Sequence, residues 1–252
     1  MVSVIIPCYN ARQYICEALA SAVAQEYVHE VILVDDCSTD DSVACVQAWL
    51  DVYAAQTADI SIRVLQNAEN SGVAVSRNRG VQEADGKYIA FLDADDRFAP
   101  GKLKKQVELL EQTGACLCNT ARVLMTPDGS LTQTIMHTPE KITLAELEKT
   151  NVINCSSVVA PREILLKYPM QHSEVHEDYL TWLQMLRAYP YAVGIDEPLL
   201  EYRLSEHGKS RNKLKSARMT YRTYRLAGYP VWKSCRMFLN YMINGLKKYA
   251  TH

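Results

Sequence analysis

Two patterns of apolar spacing alternate along the first hundred residues. Four apolar-rich runs, Val2–Cys8, Glu30–Val34, Ile62–Gln66 and Tyr88–Leu92, read as strands. Between them, near 11–24, 39–55 and 73–84, lie amphipathic stretches that read as helices. Each is long enough for the crossover that joins parallel strands. Runs of Val, Ile and Leu without polar alternation suit strands covered on both faces. The pattern therefore predicts an α/β fold, a mainly parallel sheet flanked by helices. Local punctuation agrees. Ser38-Thr39-Asp40 and Asn70-Ser71-Gly72 offer helix-capping chemistry ahead of the second and third helices. Pro100-Gly101 precedes a basic helical stretch, "KLKKQVELLEQ", that ends at Gly114.

The second half is less regular. Residues 115–136 read as strands about an Asp128-Gly129 turn. A helical piece near 143–149, a strand near 155–160 and a helix near 176–189 follow, and "EPLLEYRL" reads as an edge strand. From 212 onward two helical segments are split at Gly228-Tyr229-Pro230, because proline cannot continue a helix. The expected organisation is a main domain over 1–208, with one half of about 1–100 and a second of about 101–208. A C-terminal helical extension, basic and rich in aromatics, occupies 209–252.

Composition narrows the class. Of 252 residues, 48% are hydrophobic, which provides a sizeable core and excludes global disorder. No apolar stretch reaches the roughly 20 residues that span a bilayer. Met1 leads straight into "VSVIIPCYN", with no basic region and no cleavage site, so no signal peptide is expected. The eight cysteines are scattered without a CxxC pair, which argues against zinc and for reduced thiols in a cytosol. The net charge of −2 conceals an asymmetry. Lys209 to His252 carries eleven Lys/Arg and no Asp or Glu, leaving 16 basic and 29 acidic residues in 1–208. A block this basic calls for a partner or an anionic surface.

The chemistry collects at strand ends. In open parallel sheets, ligands bind beyond the carboxyl ends of the strands. The first strand ends in "PCYN" (7–10), the second in Asp35-Asp36 and the fourth in "DADD" (93–96). A nucleotide suits such a crevice: Asp36 would accept from a base edge and Tyr9 would pack on the ring. Asp93, Asp95 and Asp96 repel one another unless a cation joins them. Asp93 and Asp95 would hold Mn²⁺ or Mg²⁺ on a diphosphate, since hard cations take carboxylate and phosphate oxygens. Taken one at a time, the clusters also read as solvated turns or helix caps.

"SVIIPCYN", "VILVDDCSTDDS", "NSGVAVSRNRG" and "YIAFLDADD" together resemble the successive signatures of family 2 glycosyltransferases. The resemblance spans residues 2–98. It implies a GT-A fold, a nucleotide-sugar donor that is UDP-linked, and inversion at the sugar. By this match Asp36 contacts the uracil, Asp95 binds the metal, and Asp93 binds ribose or metal. Pro7, Tyr9, Asn10 and Ala94 line the donor site, and Arg77 and Asn78 of "SRNRG" shape its floor. Arg77 also has a reading as a structural salt bridge. "HEDYLTWLQML" (176–186) resembles the family's ED motif, which makes Asp178 the general base and Glu177 its orienting neighbour. The same two carboxylates also suit a helix N-terminus without any catalysis. His172 and His176 read as loop residues.

The sequence departs from the family at one point. Members often carry a metal-binding histidine two residues after a "YR" pair. In "EYRLSEHGKSRNK" Ser205 stands there and His207 lies two further on, so His207 becomes a candidate metal ligand. Arg203, Lys209 and Arg211 are candidates to neutralise a departing diphosphate, or else form a solvated basic loop.

The tail mixes Tyr221, Tyr224, Tyr229, Trp232, Phe238 and Tyr241 with Arg218, Arg222, Arg225, Lys233, Arg236 and Lys247. It reads as a surface for an anionic membrane, with packing on the catalytic domain as a second reading. Nucleic acid is not the expected partner. Many relatives extend lipid-linked glycans at the bacterial membrane, which implies a glycan or lipid-linked acceptor in O-antigen, capsule or lipopolysaccharide synthesis. The expected location is cytoplasmic, peripheral on the inner face of the membrane. The rival to an enzyme is a non-catalytic, membrane-associated protein that keeps the fold and binds the nucleotide sugar.

Overall fold

In a computed structural model, residues 1–55, 57–172, 174–204 and 213–250 are described, with backbone only for 213 and 244–250. The described strands form one ten-stranded sheet. Its first half is parallel, in the spatial order β3 (Ser61–Gln66), β2 (Val28–Asp35), β1 (Val2–Cys8) and β4 (Tyr88–Phe91). The sheet continues through β9 (Val159–Pro161), β6 (Cys118–Met125), β10 (Ala192–Arg203) and β5 (Arg97–Phe98). Here β9 runs antiparallel to both neighbours, β6 and β10 are parallel, and β5 is antiparallel. Two further strands, β7 (Leu131–Met136) and β8 (Lys141–Ile142), branch from β6 and β10.

Side chains alternate across each strand, which divides the core in two. Val4, Ile6, Val31 and Leu33 share one cluster with Ala18 and Leu19 of α1 (Ile15–Val23), Val46 of α2 (Ser42–Tyr53) and Leu103 of α4 (Lys102–Thr113). Ile5, Ile32 and Val34 share the other with Ala74 and Val81 of α3 (Val73–Glu83) and Trp182 of α7 (Glu177–Ala188). Helices thus cover both faces. Helix α3 lies so close to β1 that a Cβ on Gly80 would come within 2.4 Å of Ile5 Cγ2.

The helix starts refine the expected caps. Helix α2 begins at Ser42, whose amide donates to Asp40 Oδ1 at 3.0 Å. At α3 the N-cap is Gly72, with φ 88° and no side-chain cap of its own. Its N–H and that of Ser71 donate instead to Asp36, at 2.7 and 2.9 Å. The cap comes from β2's end, so no local pattern shows it. Gly114 ends α4 in the left-handed region, φ 63°, as expected.

Two expectations in the second half fail. "EPLLEYRL" is not an edge: β10 lies between β6 and β5. Its register with β6 shifts on both sides of Pro198, where residues 196–198 are exposed. The strand near 155–160 is a 3₁₀ turn at Cys155–Ser157 followed by the short β9. Short helices α5 (Leu144–Leu147) and α6 (Arg162–Lys167) complete this half.

The tail forms α8 (Lys213–Leu226) and α9 (Val231–Ala250), joined at Gly228 with φ 80°. Helix α8 packs on α7, where the Tyr179 and Tyr224 rings meet edge-on at 6.0 Å. Met219, Tyr224, Ala227, Tyr229 and Met237 are buried, and Lys233 pairs with Glu148 at 2.8 Å. No described helix is long and apolar enough to cross a membrane.

Candidate active site

The carboxyl ends of β1 and β4, the start of α7 and the side of α8 enclose a cleft of ≈ 990 Å³. Pro7, Tyr9 and Asn10 line it from β1; Asp93, Ala94 and Asp95 line it from the end of β4. Arg77 comes from α3, and Glu177 and Asp178 from the first turn of α7. Nine of the expected site residues therefore share one cavity. Asp36 and Asn78 stand behind its wall, and His207 lies outside the described residues, as do Lys209 and Arg211.

Arg77 is the centre. It is buried, and its Nη2 meets Asp93 Oδ1 at 2.5 Å while Nη1 meets Glu177 Oε1 at 3.1 Å. Burial disfavours the cation, but Asp93 and Glu177 outweigh it and hold Arg77 charged, its pKa well above the ordinary value. The salt-bridge reading of Arg77 and its place in the cleft wall are thus one arrangement. It ties the β4 end to the start of α7.

The acidic turn is electrostatically strained. Burial, then the charge of Asp93, pushes Asp95 up to about 6. Asp96 is buried deeper, and burial followed by repulsion from Asp95 and Asp93 raises it well above the carboxylate range. Its Oδ1 accepts from the Arg203 amide at 3.0 Å, while Oδ2 has no partner. Among the described residues no three His, Cys, Asp or Glu gather as a metal cage. Asp93 and Asp95 nevertheless present hard oxygen donors on a cleft wall. An under-compensated carboxylate pair of this kind fits a cation that takes its other ligands from phosphate and water.

Asp178 is half-buried at the first turn of α7, and its Oδ1 accepts from the Tyr179 amide at 2.7 Å. Burial raises its pKa, Glu177 raises it further, and Arg77 opposes. Beside it His176 lines the cleft and precedes α7 as its cap residue. Its amide donates to Thr223 Oγ1 at 3.3 Å and its Nε2 lies 3.4 Å from the Ser216 carbonyl, so α8 props the turn that carries Asp178.

Three side chains fix the loops around the cleft. Asp36 accepts from Asn67 Nδ2 at 2.7 Å in addition to Ser71 and Gly72, which fixes the loop before α3. Asn78 exchanges hydrogen bonds with the backbone of Met170, at 2.7 and 2.9 Å. Asn10, at φ 50°, accepts from the Thr39 amide at 2.8 Å and so joins the first two loops. Arg203 needs a correction. It is not a solvated basic residue, although it lines the cleft. It is buried, and its guanidinium donates to Asp95 O at 2.8 Å, Pro127 O at 2.9 Å and Glu17 at 2.7 Å. Tyr14, Cys155, Tyr202 and Met219 also line the cleft and carried no readable signal; only the fold brings them there.

A mixed sheet with a nucleotide-sized cleft at its carboxyl edge, acidic on one wall and on the facing helix, defines a glycosyltransferase of the GT-A class. The sequence model described as "Glycosyl transferase family 2" matches residues 3–167, and the chain belongs to that family. It is 37% identical over 250 residues to the putative teichuronic acid biosynthesis glycosyltransferase TuaG of Bacillus subtilis, covering 98% of this chain and 97% of that protein. It is 29% identical over 256 residues to WfgD of Escherichia coli, described as a UDP-Glc:α-D-GlcNAc-diphosphoundecaprenol β-1,3-glucosyltransferase, covering 99% and 95%. Staphylococcus aureus TarS with UDP-GlcNAc has the same fold, with TM-score 0.71 at 22% identity over 90% of this chain and 65% of that one. So does the mannosyltransferase PcManGT of Pyrobaculum calidifontis with GDP-Man and Mn²⁺, TM-score 0.71 at 19% identity over 95% and 68%.

Proposed function

We propose that this glycosyltransferase moves a sugar from a UDP-linked donor to a hydroxyl of a lipid-linked glycan acceptor, with inversion, during surface-polysaccharide synthesis. The observation that carries the reading is the Arg77 bridge. It holds Asp93, on the donor side, and Glu177, next to Asp178, against one cavity. Relatives whose names specify undecaprenyl-diphosphate acceptors and UDP-glucose support the substrate class. On this reading the protein works at the inner face of the membrane that carries its acceptor.

The chain's own groups divide the work. Pro7, Tyr9, Asn10 and Ala94 receive the nucleotide, with Asp36, Asn67 and Asn78 holding the loops that shape its pocket. Asp178 takes the acceptor hydroxyl's proton as that oxygen attacks the anomeric carbon; a carboxylate raised by burial is the better base for this. Glu177 is held by Arg77 and keeps α7's first turn in place. Asp95 and Asp93 would hold Mn²⁺ or Mg²⁺, with His207 as a further ligand, and the ion would supply positive charge against the leaving diphosphate.

The test is a screen of UDP-, GDP- and dTDP-sugars for donor hydrolysis, with Mn²⁺, Mg²⁺ or chelator, followed by transfer to a polyprenyl-diphosphate-linked sugar. Turnover with UDP-sugars that disappears on chelation is the expected result. Tight UDP-sugar binding with no turnover under any condition would support the non-catalytic rival instead.

A further inference from the structure

Helix α9 has two faces. Ser234 and Met237 are buried, and Phe238 and Tyr241 are half-buried against the packed side. On the opposite side Trp232, Leu239 and Ile243 are 67%, 60% and 42% exposed, at spacings of seven and four residues. Residues three, four or seven apart lie on one side of a helix, so these three form a single apolar stripe. Val231 and Met242 widen it, 57% and 43% exposed. Among the described residues, nothing covers this exposed tryptophan and the two large aliphatics in line with it.

The charge around the stripe identifies what it meets. Arg236 lies beside it, 5.9 Å from the Trp232 ring. On the adjoining α8, Arg218 and Arg222 are exposed, on the side opposite the buried Ser216, Met219 and Thr223. Residues 213–250 contain nine Lys/Arg and no acidic residue. A protein partner would need an acidic, apolar surface matched to one helix. An anionic bilayer offers both properties everywhere, and tryptophan favours its headgroup level. The helix lacks the hydropathy to cross a membrane, so it would lie in the surface.

We infer that the exposed stripe of α9, Trp232, Leu239 and Ile243, is an anionic-lipid docking surface, inserted at the headgroup level with Arg236 beside it, and that the exposed Arg218 and Arg222 of α8 add to the attraction for such a surface. The inference deepens the proposed function by naming the surface that meets the acceptor's membrane. Helix α8 links that surface to the cleft, because Met219 lines the cavity and Ser216 and Thr223 hold His176.

Sedimentation of the full chain with vesicles of phosphatidylcholine alone, or with phosphatidylglycerol added, at low and physiological salt, tests it. The expected result is binding to anionic vesicles that weakens with salt. Trp232→Glu with Leu239→Glu should lower partition at least tenfold. Arg218→Gln with Arg222→Gln and Arg236→Gln should remove most of the salt dependence. All five side chains are exposed, and hydrolysis of UDP-sugar without vesicles should be unchanged, which separates this inference from the catalytic reading. Equal binding to neutral and anionic vesicles, or full binding by the double glutamate variant, overturns it. So does concentration-dependent dimerisation that the glutamates abolish, which would assign the stripe to a second copy. Retention of nucleic acid in preference to vesicles also counts against it.

Discussion

Arg77 and Glu177 stand 100 positions apart in the chain and meet at 3.1 Å inside the cleft. The contact ties α3 to the start of α7. Replacing Arg77 with Met leaves the buried Glu177 and the half-buried Asp93 without their cation, a loss on the order of 3 kcal/mol. Arg77→Lys keeps the charge but has one compact donor group in place of a fork, so it cannot hold both carboxylates. Denaturant midpoints should therefore rank wild type above Lys above Met. Turnover of the Lys variant should fall by more than tenfold. Equal stability of all three would mean that the bridge does not organise the site.

The base assignment makes a pH prediction. Asp178 acts ionised, and burial raises its pKa above the ordinary carboxylate value near 4. As pH falls through that raised value, the base is protonated and kcat is lost. The acidic limb of the rate profile should accordingly lie above the usual carboxylate range. Asp178→Asn should lower kcat by about 10³-fold while UDP affinity stays within a few-fold. A variant that keeps both its rate and its acidic limb would move the base elsewhere.

Metal linkage is tested without measuring activity. A ligand that binds only the native state stabilises it, by about 2.7 kcal/mol at a hundred times its Kd. Mn²⁺ with UDP should raise the melting temperature of the wild type beyond the increment from UDP alone. In Asp95→Ala the extra increment should vanish. If it survives intact, Asp95 is not a ligand.

Much of this architecture was legible because the relevant physics is local. Val2–Cys8, the Gly114 helix end and the Asp128-Gly129 turn each depend on a few neighbouring residues. The carboxyl-edge rule then gathers Pro7 and Asp93 without coordinates, and the resemblance to the ED motif adds Glu177. What escaped depends on distant partners. Asp36 reads as a base contact, and its hydrogen bonds to Ser71, Gly72 and Asn67 were not legible beside that reading. Arg203 reads as a basic loop residue, yet it is buried against Asp95, Pro127 and Glu17. Strand β10 reads as an edge, yet it lies between β6 and β5, a pairing that depends on residues about 75 to 100 positions away. Composition alone could not divide the tail's aromatics between the buried Tyr224 and the exposed Trp232.

Lys102 gives the last prediction. The sequence places it in a basic helical face, but it is fully buried. Its Nζ donates to Gln106 Oε1 at 2.7 Å and sits 4.1 Å from the Phe98 ring centre. Burial lowers its pKa to about 7, with no carboxylate partner to oppose the shift. Unfolded, the same amine titrates near 10.4. Between these values the unfolded chain holds the extra proton, so this group's contribution to stability rises with pH from about 7 to 10. Near pH 7 the buried lysine is a net liability. Lys102→Met, similar in shape and uncharged, should be more stable than wild type there. The advantage should shrink by about 2–4 kcal/mol by pH 10. Comparing the two proteins at each pH cancels the buried thiols and tyrosines that titrate in the same range. Parallel stability curves for the pair would show that Lys102 stays charged in the core.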